Sequence, residues 1–416
     1  MTDGTKARPV PGSGVEAESL SRLGPQEQRA ALRRLASTTR VARFAEGTFV
    51  LRWDDVRALL RDRRFAGVGL SVFDALGINE GPLRRWYGNL MFTNEGDRHA
   101  RLRALVQQAF VPRSIEVMRP ATQALAHELL APVRESGEGD LVDFAFHLPI
   151  RAMAVLLGVP ARDVPEFTRW SHALARVFGF MTPDQVNAAT DALQTLLPYA
   201  ESLLALRRRE PRDDLITRLG QAEQGGDRLT DAEAADLMVN LIVGGHDTST
   251  GQIACTLLTL FEHPELLTPL RDDPARIPTA VEEALRYVPT LGAIPRVALA
   301  TFEIDGFRIE PGALVWLVTD TANHDPTGYA DPGRFDPQRF DRDDAPRLMT
   351  FGAGPHVCLG AAFARMVVQE ATAAVLALPP PLRLAEPAEQ IPWTSVLATY
   401  PERLPVRCAP RAAVPA

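Results

Sequence analysis

FGAGPHVCLGAAFAR, residues 351–365, sets an aromatic, glycines at 352, 354 and 360, a histidine and a cysteine ahead of small residues that open a helix. A cysteine at a helix N-terminus lies among unpaired backbone N–H groups at the positive end of the helix dipole. That position favours the thiolate, so a lowered pKa is expected for Cys358. Gly352, Gly354 and Gly360 let the chain turn tightly and let a bulky group come close. Structural zinc or an iron–sulfur cluster would need companion cysteines nearby, and Cys255 and Cys408 are far off in sequence. Covalent haem attachment needs Cys-x-x-Cys-His, which is absent. Three uses of the loop remain: axial ligation of a haem iron, nucleophilic catalysis with His356 as base, and an inert thiol.

The chain has 416 residues, 46% hydrophobic and 23% charged, enough for a substantial core. A net charge of −7 gives no support to nucleic-acid binding, which asks for a basic face. Arginine supplies nearly all the positive charge, Lys6 being the only lysine. Three scattered cysteines argue against a disulfide scaffold and for a reducing cytoplasm. Residues 1–24 are polar and rich in Gly and Pro, and are expected to be a disordered tail without an apolar run of signal-peptide length. Residues 25–416 are expected to form one domain, and a monomer. No stretch approaches the ~18 apolar residues of a membrane span, so no membrane partner is expected.

VARFAEGTFVLRW (41–53) alternates around a glycine and predicts a hairpin. From about 97 to 288 the pattern is helical; RLRALVQQAF (101–110) repeats apolar residues at three-to-four spacing. Within DRLTDAEAADLMVNLIVGG, Thr230 and Glu233 read as a capping box. Asp305-Gly306, inside TFEIDGFRIEPGALVWLV (301–318), predicts a second hairpin. A Pro- and Asp-rich stretch (322–347) has little periodicity, and a helix is expected over about 359–377. The fold class is therefore mainly α with small β-sheets.

Phe351, Gly352, Gly354, His356, Cys358 and Gly360 together fill Phe-Gly-x-Gly-x-His-x-Cys-x-Gly. This resembles the haem-binding signature of the cytochrome P-450 monooxygenases of soluble bacterial type. The resemblance covers roughly residues 40–408 and implies one P-450 catalytic domain, with haem b (iron protoporphyrin IX) between a long distal helix and a proximal Cys-loop helix. It makes Cys358 the iron ligand.

VGGHDTST (243–250) puts two glycines inside a predicted helix, each costing about 1 kcal/mol relative to alanine. One reading is a close helix–helix approach; the other is a groove cleared by Gly244 and Gly245 over a flat cofactor. Thr248 can bond back to the carbonyl four residues earlier and open the helix. The resemblance makes this the oxygen-activating segment, with Asp247 and Thr248 as its acid–alcohol pair; His246 falls where the family varies and receives no role. Glu283 and Arg286, a Glu-x-x-Arg pair, would alone read as a solvated ion pair. With FDPQRF (335–340) they resemble the family's buried network, completed by Arg339. HARLR (99–103) would alone read as an exposed basic face. By resemblance His99, Arg103, Arg296 and His356 bind the haem propionates through charge-assisted bonds. Glu95-Gly96-Asp97 stands where the family often has Asp-Pro-Pro, which could shift the helix start.

The implied activity inserts one oxygen atom of dioxygen into a largely hydrophobic organic molecule, such as a secondary metabolite. No flavin or iron–sulfur module is legible, so electrons from NAD(P)H are expected through external partners, a ferredoxin and its reductase. Arg113, Arg347 and Arg365 are candidates for the docking patch. The substrate pocket is expected at Leu90, Met91, Asn240, Val243, Gly244, Leu291, Gly292, Ile294, Leu397 and Ala398, with Trp86, Phe178 and Phe180 adding to a lid. A peroxide-driven enzyme and a non-catalytic recruitment module on the same fold are the alternatives.

Overall fold

The computed structural model describes residues 15–16, 20–175, 177, 181–342, 345–394 and 398–409. The segment expected to form the first hairpin does so. Its strands β2 (Val41–Phe44) and β3 (Gly47–Val50) pair antiparallel, with Val41 opposite Val50. A short β1 (Val15–Glu16) runs parallel to β2, Val15 opposite Ala42. Regular structure thus begins inside the stretch expected to be a disordered tail. Leu20 explains part of the difference, because it packs with Phe44 and Phe49, and its N–H donates to the Glu46 carboxylate at 3.2 Å.

β4 (Phe65–Ala66) and β5 (Ile294–Ala298) belong to the same sheet. β6 (Phe302–Ile304) and β7 (Phe307–Ile309) form the Asp-Gly hairpin, and β8 (Leu314–Leu317) returns to the sheet. Asp305 and Gly306 both have positive φ, 51° and 78°, as a tight hairpin of matching twist requires. The strand order of the main sheet is β1-β2-β3-β8-β5-β4.

Helices build the rest. α1 (Pro25–Ala36) and α2 (Trp53–Leu59) pack with the sheet, whereas α3 (Pro82–Asn89) and α4 (Gly96–Ala109) belong to the helical core. α5 (Leu141–Leu157) and α6 (Pro183–Arg209) pack against α7 (Asp231–Glu262), the longest helix described. Its start is the expected capping box: Glu233 N–H donates to Thr230 Oγ1 at 3.2 Å, and Thr230 N–H to Glu233 Oε2 at 2.9 Å. From Ala234 to Leu260 nearly every face of α7 carries buried side chains, the signature of a helix at the centre of a large core. α8 (Ile277–Tyr287) and α9 (Ala361–Leu376) lie against each other and against α7.

Glu283 and Arg286, one turn apart on α8, are both fully buried (0% side-chain exposure). Arg286 gives Glu283 two bonds of 2.7 Å from Nε and Nη2. Its Nη1 donates to the carbonyls of Asn323 and Pro332, each at 2.9 Å. Arg339 Nε adds a bond to Glu283 Oε2 at 3.1 Å, and the Asp336 N–H one to Oε1 at 2.9 Å. Every strong donor and acceptor of the pair is engaged, the condition under which buried ions are tolerated. Glu283→Ala strands Arg286 in the core at a cost of about 3–5 kcal/mol. Purified Glu283→Ala is expected to unfold at lower temperature and to contain little haem; a parental midpoint with full haem would refute this.

Asp236 of α7 accepts a bond from Asn89 Nδ2 of α3 at 3.0 Å. Burial pushes its carboxyl up from 3.8 to about 6, against the pull of Asn89 and Arg98, with Glu201 and Glu233 adding to the rise. Its folded pKa exceeds its unfolded value, so the associated stability is present below about 3.8 and lost as pH rises through about 6. Asp236→Asn is expected to stabilise the protein at pH 7.5 by about 1 kcal/mol, after allowance for solvent screening, and not at pH 4. Thermal melts at the two pH values check the sign.

Candidate active site

The cysteine loop owes its shape to left-handed glycines. Gly352 and Gly354 have φ of 68° and 74°, and a Cβ on Gly354 would sit 2.6 Å from the Leu60 carbonyl oxygen. Cys358 N–H donates to the Phe351 carbonyl at 2.9 Å, closing the loop just before α9. The Cys358 side chain is reached by solvent, yet protein surrounds it closely enough for burial to dominate its proton affinity. Both hold for a residue on the wall of an internal cleft. Burial pushes the thiol up, while the Gly360 N–H and the cations of Arg103 and Arg365 pull it down. The lowered pKa expected from the helix start is therefore corrected: desolvation outweighs the backbone donors.

Four basic side chains meet beside this loop. The rings of His99 and His356 lie 4.1 Å apart between centroids. His99 is buried (4% exposed), and its Nε2 has no hydrogen-bond partner. Burial, then His356 and Arg103, hold His99 down at about 4, against Glu95. Arg296 is buried, with Nη1 donating to the Pro295 carbonyl at 3.0 Å. Desolvation lowers both Arg103 and Arg296, opposed by Cys358 in the first case and Glu95 in the second. Glu95 stands just before α4; it accepts His356 Nε2 at 2.9 Å and the Gly67 N–H at 2.7 Å. Glu95, at the position of the family's Asp, thus keeps a carboxylate at the approach to this helix while Gly96 and Asp97 replace the prolines.

On α7 the two consecutive glycines divide the two readings between them. Gly244 is exposed within a buried helix, and a Cβ there meets nothing within 4 Å. A Cβ on Gly245 would sit 2.8 Å from Met153 Cε of α5, so this glycine serves helix packing and the expected groove belongs to Gly244 alone. Thr248 Oγ1 donates to the Gly244 carbonyl at 2.8 Å. Asp247 Oδ1 accepts the Tyr400 hydroxyl at 3.1 Å. His246 turns to α5, where its Nε2 lies 3.1 Å from the Phe146 carbonyl oxygen.

The family model for cytochrome P-450 matches residues 78–378. The chain belongs to the cytochrome P-450 family. It is 38% identical to nocardicin C N-oxygenase of Nocardia uniformis subsp. tsuyamanensis over 86% of this chain and 88% of that protein. It is 33% identical to 6-deoxyerythronolide B hydroxylase of Saccharopolyspora erythraea, over 91% and 94%. Among solved structures, CalO2 superposes with a TM-score of 0.85 at 31% identity, over 92% of this chain and 96% of that one. The chain is a haem-thiolate monooxygenase whose cofactor is haem b, with electrons supplied from outside the chain.

The residues of this P-450 fit that cofactor. The orphaned Nε2 of buried His99 and the desolvated guanidinium groups of Arg103 and Arg296 await anionic partners, as propionates are. Gly244 leaves open space where a flat ring could lie, and Cys358 presents sulfur to a cleft.

Of the expected pocket residues, Leu291, Gly292 and Ile294 are half-buried, and Met91 and Asn240 are buried with slight exposure. Leu90, Val243 and Ala398 are closed against protein rather than facing open space, and Trp86, expected at a lid, is a core residue. Each lies on or beside a helix or loop whose other face carries the site, which sequence spacing does not distinguish. Leu397, Phe178 and Phe180 fall outside the described residues. Sequence reasoning missed Glu95 as a partner of His356, Asn323 as a support of the cysteine loop, and Tyr400. The one available signal was the departure of Glu95-Gly96-Asp97 from the family's Asp-Pro-Pro, with Glu95 itself standing where the pattern has Asp.

Gly244→Ala removes a helix-weakening glycine without a clash, so the chain gains up to about 1 kcal/mol. The added methyl enters the proposed haem groove. The expected outcome is a raised melting temperature of the haem-free chain together with weaker haemin uptake; unchanged uptake would show the groove lies elsewhere.

Proposed function

We propose that this P-450 oxidises a medium-sized, largely hydrophobic secondary metabolite, with Cys358 as the residue that would ligate the haem iron and Asp247 and Thr248 delivering protons. The observation that carries the reading is the unfilled space at Gly244 on α7, beside the Thr248 hydroxyl, which donates to the Gly244 carbonyl at 2.8 Å. Haem b, when bound, supplies the oxidation of a C–H bond by dioxygen and two electrons.

His99, Arg103, Arg296 and His356 would bind and orient the propionates of bound haem, and their burial would strengthen each bond. The Gly360 N–H donates to the Cys358 sulfur and tempers its charge. Thr248 holds a hydroxyl proton at Oγ1, and Asp247 offers a carboxylate that exchanges protons beside it, the combination a general acid needs in a dry pocket. Glu283, Arg286 and Arg339 act at a distance, by holding the chain that leads into the cysteine loop.

The substrate class follows from relatives whose names specify nocardicin C, mycinamicin IV and 6-deoxyerythronolide B. The electron donor proposed is a ferredoxin with its reductase, acting on a monomer in the cytoplasm. Arg113 and Arg347 are exposed and suit a docking patch. Arg365 does not: it gives Glu282 two bonds of 2.7 and 2.6 Å and stacks over Phe351 at 4.4 Å. Arg57 and Arg61 on and after α2 are exposed replacements, Arg61 lying against Gly354.

Reduced protein under carbon monoxide is expected to show a Soret band near ~450 nm, the mark of thiolate ligation. Cys358→Ser should abolish that band while leaving the helical circular dichroism intact. Folded, haem-loaded parent protein without the band would overturn the ligand assignment. Faster turnover with peroxide than with NAD(P)H, ferredoxin and reductase would favour the peroxide-driven alternative.

A further inference from the structure

We propose that Tyr400 is a positioning residue for oxygen activation: its hydroxyl holds the Asp247 carboxylate in the geometry from which protons reach Thr248. The inference rests on the reading of Asp247 and Thr248 as the proton-delivery pair. A carboxylate on a helix surface has several rotamers, and only some place it beside the neighbouring hydroxyl. The Tyr400 hydroxyl, 3.1 Å from Asp247 Oδ1, selects among them through a bond to a charged acceptor, stronger than a neutral one.

The seat for this tyrosine is built into α7. Gly251 follows Asp247 by four residues and so lies on the same face of the helix. A Cβ at 251 would come within 2.6 Å of Tyr400 Cδ1 and 2.3 Å of Thr290 Oγ1. Glycine therefore lets the ring lie against the helix at 251 while its hydroxyl reaches back one turn, about 5.4 Å, to 247. This is the one glycine of α7 whose absent side chain is replaced by an aromatic from a distant part of the chain.

The loop that carries the tyrosine is fixed on three sides. Thr394 N–H donates to the Tyr400 carbonyl at 2.9 Å, and Tyr400 N–H to Thr394 Oγ1 at 3.1 Å. Thr399 N–H donates to the Thr290 carbonyl at 2.9 Å. Arg29 of α1 donates from Nη2 to Thr399 Oγ1 and to the Pro289 carbonyl, each at 3.0 Å. Thr290 N–H in turn donates to Gln252 Oε1 of α7 at 3.1 Å, so loop and helix are tied at adjacent positions. A phenol held this way is a fixed donor, not a mobile side chain that happens to touch the carboxylate. A purely structural tie would stabilise the fold and leave proton delivery alone, and the two roles separate in kinetics.

The test uses full-length, haem-loaded protein as parent, Tyr400→Phe, Asp247→Asn and the double variant. Oxidation of NADPH is driven by spinach ferredoxin and its reductase without added substrate, in H2O and in D2O. Asp247→Asn is expected to slow oxidation about 100-fold, the scale of a lost general acid. Tyr400→Phe is expected to slow it about tenfold with a larger solvent isotope effect, and the double variant to be no slower than Asp247→Asn. Thermal unfolding of the same four proteins should show coupling between the two sites. Slowing by Asp247→Asn with parental rates and isotope effect in Tyr400→Phe would overturn the role of Tyr400 and leave the proton-delivery reading standing. Parental rates in Asp247→Asn would overturn both. Additive rate effects, or no coupling in unfolding, would show that Tyr400 acts elsewhere.

Discussion

The buried ion network of Glu283, Arg286 and Arg339 is the constraint on which the proximal half of the site depends. Its guanidinium groups are satisfied largely by backbone carbonyls of residues 323, 332 and 334, so the network orders a stretch with no regular structure of its own. From there it passes to the cysteine loop through Asn323. That side chain donates to Thr350 Oγ1 at 2.8 Å and accepts the Met349 N–H at 2.9 Å, while Thr350 Oγ1 donates back to the Leu285 carbonyl at 2.7 Å. The path runs from helix to loop and returns to the same helix, ending one residue before Phe351. A charge pair that would be energetically idle at the surface becomes decisive because it is dry and its partners are main-chain atoms.

The distal half is governed by one helix with two incompatible demands. α7 must fill the centre of the core and must also leave room on one face for the cofactor. Three glycines reconcile them by different means. Gly245 admits Met153 from α5, Gly251 admits Tyr400, and Gly244 admits nothing from the protein. The two filled positions pin the helix on either side of the segment 246–250, and the unfilled one, whose carbonyl accepts the Thr248 hydroxyl, leaves space without breaking the helix.

Elements were legible in the sequence where their cause was local. The capping box at Thr230 and the Asp305-Gly306 hairpin each depend on residues within about ten positions, so pattern and chemistry coincide; the glycine pattern of the cysteine loop is as local, although its supports at Asn323 and Leu60 are not. Regular structure at residues 15–16 and 20–22, the packing role of Gly245 and the burial of Leu90 and Val243 depend on partners far along the chain. Cys358 shows the same limit in electrostatic form. The helix-start donors that favour a thiolate are local and visible, whereas the surrounding protein that raises the thiol is not, and desolvation is the larger effect.

Glu95 shows how a distant partner alters even a recognised motif. Its carboxylate joins a group of bases suited to two propionates, pairing with His356 while lending attraction to buried Arg296. In a cradle holding His99, Arg103, Arg296 and His356, one resident anion offsets part of the repulsion among cations that desolvation already lowers. It also ties the start of α4 to the segment at Gly67 and to the cysteine loop. The loss of the expected helix-opening prolines at 96 and 97 therefore leaves the spacing of His99 and Arg103 intact, and Glu95 retains a carboxylate that anchors the start of their helix.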